Sequence, residues 1–188
     1  LANTEEYNGS GWSAGGNLNT GRYGAGEATS APQTAGLIFG GVVTSTRKSE
    51  TEEYNGTAWS EVTDMPADIG QLSGAGVQTA AVSIGGSTPP GSNNAESYEY
   101  DGTNWTASGN LNTARERSAA FGLQTAAVAV GGSPPYVSNV EEYDGSSWTN
   151  GTAYPTNISM ASASGTLTAG LVFSGNIPPT TTNTRKYD

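Results

Sequence analysis

The phrase TEEYNGTAWSE occupies residues 51 to 61, and residues 4 to 14 repeat it closely as TEEYNGSGWSA. Its tyrosine and tryptophan recur along the chain at intervals of about 45 residues. The recurring positions are Tyr7, Tyr54, Tyr100, Tyr143 and Tyr187, together with Trp12, Trp59, Trp105 and Trp148. A period of this length, present in four full copies and a fragment, predicts a repeat architecture.

A second marker, a short apolar run followed by a glycine pair, accompanies three periods, and in the fourth the pair decays to Ser-Gly. It reads AGLIFGG at 35–41, AAVSIGG at 80–86, AAVAVGG at 126–132 and AGLVFSG at 169–175. In the third period we predict four strands, RERSAAFGL, AAVAVGG, SNVEEY and SSWT, with two-residue turns at QT and DG. Helical periodicity is absent. Four antiparallel strands in a unit of this length are typical of a β-propeller blade.

The order of apolar strand, glycine pair, loop, EEYDG or EEYNG, and tryptophan resembles the kelch repeat of the galactose oxidase and kelch type of β-propeller. The resemblance covers nearly the whole chain. The turn in YDGSSW is shorter than in most kelch repeats and is similar to the Asp-box turn of sialidase-type propellers, although the Ser-x-Asp opening is missing. Abbreviated arrays of this kind look most like those of marine phage virion or tail-fibre proteins, which implies a virion or extracellular location.

We predict a single all-β domain over residues 1–188, a β-propeller of four kelch-like, four-stranded antiparallel blades. GNLNT at 16–20 and 109–113 alternates with TDMPADI at 63–69 and TAYPTNI at 152–158, and such alternation favours an even number of blades. The predicted repeat units are about 14–60, 61–106, 107–149 and 150–188, with 1–13 closing the last blade. N- and C-terminal strands would thus close the ring. Because the third-strand phrase occurs five times, either one end is surplus or the chain was cut from a longer array.

Composition narrows the possible functions. With 7 basic and 17 acidic residues the 188-residue chain carries a net charge of −10, which disfavours nucleic acid as a partner. No apolar stretch approaches the ~18 residues of a membrane span, so we predict no membrane insertion. The chain contains no cysteine and no histidine. We therefore predict no disulfide, no metal site and no cofactor, and the copper chemistry of galactose oxidase is excluded.

The paired glutamates of the repeated phrase do not suggest catalysis. Neighbouring side chains on a strand point to opposite faces, so Glu52 and Glu53 cannot converge on one substrate atom. Their recurrence indicates scaffold, with the tyrosine and tryptophan as blade packing and Asp or Asn with Gly as turn residues. We predict no catalytic residues and no enzymatic activity. The remaining catalytic alternative is a sialidase-like or other carboxylate-based hydrolase. A sialidase-like site would need an arginine cluster around a sugar carboxylate, and Arg115 and Arg117 lie close together in the sequence.

A binding function is favoured instead. The loops at 86–94 and 132–139, with GNLNTGRY and GNLNTARER, fall on the blade face opposite the tight turns. The candidate ligand-binding residues are Asn19, Arg22, Asn112, Arg115, Arg117 and Tyr136. The arginines at 22 and 115 and the duplicated asparagines have a structural alternative, as hydrogen-bonding groups between loops. We expect a cell-surface glycan or protein as partner. The alternative is an architectural module that packs against identical copies in a virion, fibre or filament.

Overall fold

The computed structural model describes residues 1–176 and 184–187. No helix occurs in these residues, which confirms the prediction of an all-β chain. The strands of the first part are β1 (Glu5–Tyr7), β2 (Trp12–Ala14), β3 (Gly26–Glu27), β4 (Leu37–Phe39), β5 (Val42–Val43), β6 (Thr46–Arg47), β7 (Thr51–Tyr54) and β8 (Trp59–Glu61). The remaining strands are β9 (Ser73–Val77), β10 (Ala80–Ile84), β11 (Ser87–Thr88), β12 (Ser92–Asn93), β13 (Ser97–Tyr100), β14 (Trp105–Ala107), β15 (Ala119–Leu123), β16 (Ala126–Val130), β17 (Val140–Tyr143), β18 (Trp148–Asn150), β19 (Ser162–Thr166), β20 (Ala169–Phe173) and β21 (Thr184–Tyr187).

These strands form successive antiparallel sheets, each built from consecutive parts of the chain. Unit 1 has the order β3-β4-β7-β8, unit 2 the order β9-β10-β13-β14, and unit 3 the order β15-β16-β17-β18. Unit 4 has three strands, β19-β20-β21, and β1 and β2 form a separate N-terminal hairpin. The prediction of repeated four-stranded antiparallel sheets is confirmed for units 1 to 3, and this architecture is consistent with a β-propeller-like fold.

The N-terminal hairpin and unit 4 remain separate sheets among the described residues. Two additional hairpins, β5–β6 and β11–β12, lie in connections that the sequence predicted as loops. They form because the chain between the second and third strands of units 1 and 2 folds back on itself. Each hairpin therefore projects from the face that carries the longer connections.

The units pack on one another in chain order, and their first strands meet at the centre. β3 contacts β9, β9 contacts β15, and β15 contacts β19. All four first strands, with residues next to them, line one cavity of about 150 Å³. Small residues permit this approach, since Gly74 and Ala75 of β9 and Ala119 and Ala120 of β15 are buried.

The glycine pair lies where one unit meets the next. Gly85 has φ +57°, and a Cβ added there would lie 2.6 Å from the carbonyl oxygen of Arg115 in the next unit. The adjoining Gly86 donates its N–H to that same oxygen at 2.9 Å. Only glycine combines this left-handed conformation with so close a backbone approach. The regular recurrence of the pair along the chain therefore reflects hydrogen bonding between units.

The repeated aromatic residues also connect neighbouring units. Trp105 Nε1 donates to Thr51 Oγ1 of unit 1, and the ring centroids of Trp105 and Phe39 are 4.9 Å apart. Trp148 Nε1 donates to Ser97 Oγ of unit 2 in the same way. Each tryptophan also packs on the tyrosine opposite it in the hairpin, with centroids 4.9 to 5.1 Å apart. The Tyr100–Trp105 and Tyr143–Trp148 pairs are buried between units, whereas Tyr7 and Trp12 are exposed.

Two local predictions for unit 3 were wrong. The first strand begins at Ala119 rather than Arg115, because Arg117 has φ +57° and cannot continue an extended strand. The DG turn is not a two-residue turn, since Tyr143 pairs with Trp148 and leaves four residues between them. Asp144 Oδ1 accepts the N–H groups of Ser146 and Ser147, so the aspartate closes the turn through its side chain.

Candidate functional site

Unit 1 contains a polar cluster in which the buried residues Arg22 and Glu52 meet the exposed residue Asn19. The guanidinium of Arg22 pairs with the Glu52 carboxylate, and neither side chain is exposed. Arg22 Nη1 also donates to the carbonyl oxygens of Gly40 and Glu50, at 3.1 and 2.8 Å. The other carboxylate oxygen of Glu52 accepts the backbone N–H and the Nδ2 group of Asn19, at 2.7 and 3.0 Å. The buried charges are therefore paired and hydrogen-bonded.

Unit 3 repeats this cluster with Arg115, Glu141 and Asn112. The backbone N–H and Nδ2 of Asn112 donate to Glu141 Oε2 at 2.6 and 2.9 Å. Arg115 Nη2 lies 3.0 Å from Glu141 Oε1, and Nη1 donates to the carbonyl oxygen of Asn139. The Nη2 contact is an ion pair without hydrogen-bond geometry. Burial lowers the pKa of Arg115, and the neighbouring Glu141 charge partly offsets this effect.

Units 2 and 4 place a different set of residues at these positions. The second glycine of each pair donates its N–H to the carbonyl oxygen of Ile69, Arg115 or Ile158 in the following unit, which shows that these three residues occupy the same position of the repeat. Ile69 and Ile158 therefore stand where units 1 and 3 have arginines. Pro66 and Pro155 replace the asparagines, and Tyr98 in unit 2 replaces the glutamate. Proline has no N–H to donate, so it matches a unit without a carboxylate acceptor. The alternation seen in the sequence therefore exchanges a buried arginine for a buried isoleucine and an exposed asparagine for an exposed proline.

This placement bears directly on the candidate ligand-binding residues. Asn19, Arg22, Asn112 and Arg115 come together in two pairs, one in each cluster, and the two clusters lie in different units. Their polar groups point at buried carboxylates of the same unit. Arg22 and Arg115 are buried, so a ligand could reach them only if a cluster opened, whereas Asn19 and Asn112 are exposed. The structural alternative stated for them accounts for their contacts.

Arg117 occupies a different position, in a series of left-handed residues that links the units. Gln71 donates its N–H to the Gly24 carbonyl oxygen at 2.7 Å, Arg117 to that of Gln71 at 2.8 Å, and Met160 to that of Arg117 at 2.9 Å. The φ angles of these four residues lie between 52° and 58°. Each residue belongs to a different unit and precedes the first strand of that unit, so the series connects all four units through their backbones.

A pocket of about 270 Å³ opens beside this series. We call it the loop-face pocket, and its walls include Tyr23, Arg47, Gln71, Glu116, Arg117 and Pro134. Units 1, 2 and 3 all contribute to it. Its lining residues precede first strands or belong to the connections between second and third strands. It therefore lies on the face that the sequence predicted to carry the loops.

Two arginines of different units face this pocket. Arg47 is held by Ser87, because its Nε donates to the Ser87 carbonyl oxygen at 3.0 Å and its Nη2 donates to Ser87 Oγ at 3.1 Å. Arg117 Nε lies 3.2 Å from Glu116 Oε1. Neither Nη1 of Arg47 nor the two Nη groups of Arg117 donate a hydrogen bond to another described residue. These nitrogens are available to a ligand. Tyr23 adds an aromatic ring, and this residue is 57% exposed.

Tyr136 lies apart from the other candidate residues. It is half-buried rather than freely exposed, and its Oη accepts a hydrogen bond of 3.3 Å from Asn176 Nδ2. This contact joins the loop of unit 3 to unit 4. Tyr136 is not part of the loop-face pocket wall.

The carboxylates of the repeated phrase are occupied by structural contacts. Glu52 faces Arg22 within its own unit, whereas Glu53 accepts a hydrogen bond from Tyr100 of the next unit. Burial raises the pKa of Glu27, which stands among small residues at the central cavity. Within residues 1–176 and 184–187, no three acidic side chains are grouped as metal ligands.

Sequence reasoning missed Tyr23, Arg47 and Gln71 as contributors to a pocket. Gln71 could have been found by aligning the repeats, because it occupies in unit 2 the position that Arg117 occupies in unit 3. Arg47 gave no such signal, since it belongs to a connection whose length and sequence differ between units. Its position depends on the β5–β6 hairpin and on Ser87 of the following unit.

Comparisons with known proteins do not indicate a family or a function for this chain. No protein-family model matches the chain, and no curated protein is significantly similar to it. Across the described ranges there is also no helix with the length and hydropathy needed to cross a bilayer.

Proposed function

We propose that the protein is a closed, four-bladed, kelch-like β-propeller that acts as a non-catalytic binding module. Its loop face would contact a glycan or protein of a cell surface, from a virion appendage or another extracellular position. The observation that carries this proposal is the loop-face pocket, in which Arg47 and Arg117 of different units present guanidinium nitrogens that the fold leaves free. Recognition on loops held by a rigid scaffold is the usual arrangement in such folds.

Ring closure is supported by a cavity on unit 3. In unit 1 the corresponding surface receives Trp105, which packs between Phe39 and Thr51. The cavity on unit 3 measures about 490 Å³ and extends to unit 4. Its lining includes Val130, Val140 and Tyr154, with Val172, Lys186 and Tyr187 of unit 4. Val130 and Val140 pair across β16 and β17 as Phe39 and Thr51 pair across β4 and β7. The cavity thus corresponds to the place of a tryptophan from unit 4.

The N-terminal hairpin carries the matching side chains. Trp12 and Tyr7 are 71% and 49% exposed, yet their centroids are 5.1 Å apart, as in the buried pairs of the other units. We propose that Trp12 fills the cavity on unit 3 when the ring closes. In unit 4 the position of the third strand is occupied by β21, and Tyr187 of this strand donates a hydrogen bond to Glu142. In the closed ring, β1 would occupy this position instead of β21. One of the five third-strand phrases is then surplus.

Trp12→Ala tests closure by its effect on stability. A buried tryptophan replaced by alanine costs about 3–5 kcal/mol, whereas an exposed one costs little. In a closed monomer we expect Trp12→Ala to reduce the free energy of unfolding in urea about as much as Trp148→Ala does. A loss below about 0.5 kcal/mol, with Trp148→Ala strongly destabilised in the same buffer, would rule out closure by this hairpin.

The recognition proposal is tested by binding of the purified protein to a glycan array and to intact cells. Arg117→Ala should reduce any binding, because it removes free donors from the pocket, and Lys48→Ala serves as the control. Lys48 follows Arg47 in sequence but pairs with Glu50 outside the pocket wall. Each contact would be weak alone and would gain avidity when many copies are displayed together. Binding that is unchanged in Arg117→Ala would refute the site, and absence of any bound glycan or cell type would refute the function.

A second function, self-assembly, is favoured by the same exposed hairpin. Trp12 and Tyr7 of one copy could fill the cavity on unit 3 of another copy, because the two surfaces match irrespective of the chain that supplies them. Such head-to-tail contacts do not close and would give filaments. Light scattering over a range of concentrations separates the two cases: the closed propeller stays monomeric, whereas the architectural module grows and Trp12→Ala dissolves it.

A further inference from the structure

The loop-face pocket has an unbalanced positive charge in a strongly acidic protein. Arg22, Lys48, Arg115 and Arg117 each pair with a carboxylate of the described chain. Arg47 also lines the pocket, but none of the described carboxylates lies within ion-pair distance of it. With Arg47, Arg117 and Glu116 in its wall, the pocket carries one positive charge in excess. The chain as a whole has a net charge of −10.

The two guanidinium groups are held in place before any ligand arrives. Ser87 fixes Arg47 through Nε and Nη2 and leaves Nη1 as a donor. Glu116 is largely buried and lies beside Nε of Arg117, so the two Nη groups remain as donors. The backbone of Arg117 is itself tied to Gln71 and Met160 by hydrogen bonds of 2.8 and 2.9 Å. Donors restrained in this way lose little conformational entropy on binding.

The excess charge and the size of the pocket indicate the ligand class. One carboxylate would neutralise one excess positive charge and could accept hydrogen bonds from two guanidinium groups. A polyanion is disfavoured, because the rest of the protein would repel its further charges. A volume of about 270 Å³ suits a single ring rather than a larger molecule. The exposed ring of Tyr23 offers an apolar face, and the side chain of Gln71 offers a donor and an acceptor for hydroxyl groups.

We infer that the loop-face pocket binds an acidic sugar residue, whose carboxylate lies between Arg47 and Arg117 and whose ring lies near Tyr23. This inference rests on the proposed recognition function and specifies the ligand class for that site. It favours a uronic or similar carboxylated sugar over a neutral one. It also favours a sugar over a peptide carboxylate, because the pocket supplies groups suited to hydroxyls as well as to the anion.

Titration of the intact protein with glucuronate, followed by ligand-observed NMR or calorimetry, tests the inference. Glucose and glucuronamide are the neutral probes, and acetate and a peptide with a free C-terminal carboxylate are the non-sugar probes. We expect glucuronate to bind about tenfold more tightly than any of them, because each lacks either the charge or the ring. The affinity should fall when the ionic strength rises from about 0.01 M to about 0.15 M.

Three variants with the same change of charge locate the binding. Arg47→Gln and Arg117→Gln should each weaken glucuronate binding about tenfold, whereas Lys48→Gln should leave it within about twofold. Circular dichroism and urea unfolding check that each variant is folded, and Arg117→Gln keeps the test valid if Arg47→Gln destabilises the loop.

Equal binding of glucose or glucuronamide would overturn the inference, and so would equal binding of acetate or the peptide. Equal losses in all three variants would overturn it as well. If the protein binds neutral glycans on the array through Arg117, the proposed function stands and only the acidic-sugar inference fails. If neither the array nor cells bind, both fail.

Discussion

Tyr100 Oη donates a hydrogen bond of 2.9 Å to Glu53 Oε1, and the two residues belong to neighbouring units. The same contact joins Tyr54 to Glu6, Tyr143 to Glu99 and Tyr187 to Glu142. The two glutamates of the repeated phrase therefore have separate roles: the second holds the next unit, and the first serves its own unit where an arginine is present. This division accounts for the recurrence of the paired glutamates through contacts between units and within a unit.

Removal of the Tyr100 hydroxyl should weaken the junction of units 1 and 2. Tyr100→Phe keeps the buried ring but removes the hydrogen bond to Glu53, for which we expect a loss of about 1–3 kcal/mol in the free energy of unfolding. Urea unfolding followed by tryptophan fluorescence measures it. Tyr23→Phe, at an exposed position, should change stability by less than about 0.5 kcal/mol. Equal losses in the two variants would contradict the inter-unit role of the tyrosine.

The buried cluster of unit 3 should tolerate complete replacement better than partial loss. Arg115→Ile leaves the Glu141 carboxylate without its cation, and we expect a loss of about 3–5 kcal/mol. The triple variant Asn112→Pro, Arg115→Ile, Glu141→Tyr reproduces the residues that unit 2 has at these positions. It should recover part of the loss, because no buried charge remains. A triple variant less stable than Arg115→Ile in urea unfolding would refute this account of the alternation.

Substitutions at the first position of the glycine pair should have opposite effects on stability in units 2 and 4. Gly85→Ala places a Cβ 2.6 Å from the Arg115 carbonyl oxygen at a left-handed position, so it should cost about 2 kcal/mol or more. Ser174 has φ +63° at the corresponding position of unit 4, and Ser174→Gly should stabilise the protein by about 1 kcal/mol. The shift in thermal midpoint should therefore have opposite signs in the two variants. A stabilising Gly85→Ala would disprove the close inter-unit approach.

Acid should weaken the turn that Asp144 closes. The backbone N–H of Ser147, followed by the hydroxyl and N–H of Ser146, lowers the pKa of Asp144 to about 2. A carboxyl of the unfolded chain titrates near 4, so this contribution is fully present above about pH 4 and is lost as the pH falls towards 2. Asp144→Asn keeps the acceptor oxygen, as Asn55 does in unit 1, and should lose less stability over this range. Parallel curves of urea midpoint against pH for the two proteins would contradict the prediction.

Alkaline pH should destabilise the fold by ionising tyrosines that are buried or partly buried. Burial, with hydrogen bonds to glutamates, raises the pKa of Tyr98, Tyr143 and Tyr187 to about 12. Unfolded tyrosine ionises near pH 10, so their contribution is complete below pH 10 and is lost as the pH rises to about 12. Tyrosinate absorbance and circular dichroism should therefore change together over this interval. Ionisation of these tyrosines near pH 10 in a folded protein would refute the prediction.

The period of the sequence was sufficient to predict the repeated four-stranded sheets, but not the β5–β6 and β11–β12 hairpins. Alternating apolar residues, tight turns such as Gln124–Thr125, and the glycine pair are local features, and each acts on neighbouring residues of the chain. The wrong strand start at Arg115 had a long-range cause, since Arg117 takes a left-handed conformation where it bonds to Gln71 and Met160 of other units. The left-handed position recurs in every unit, but the residue types there are Gly, Gln, Arg and Met, so no common residue type marks it in the sequence.

The sequence by itself determined an all-β chain of repeated antiparallel sheets, the scaffold role of its tyrosines and tryptophans, and the alternation between two kinds of unit. Only the tertiary structure decided that Arg22 and Arg115 are buried against Glu52 and Glu141, whereas Arg47 and Arg117 line one pocket. The physical reason is that strand pattern and turn chemistry are properties of adjacent residues. Burial and the meeting of side chains from three units depend on how the sheets pack.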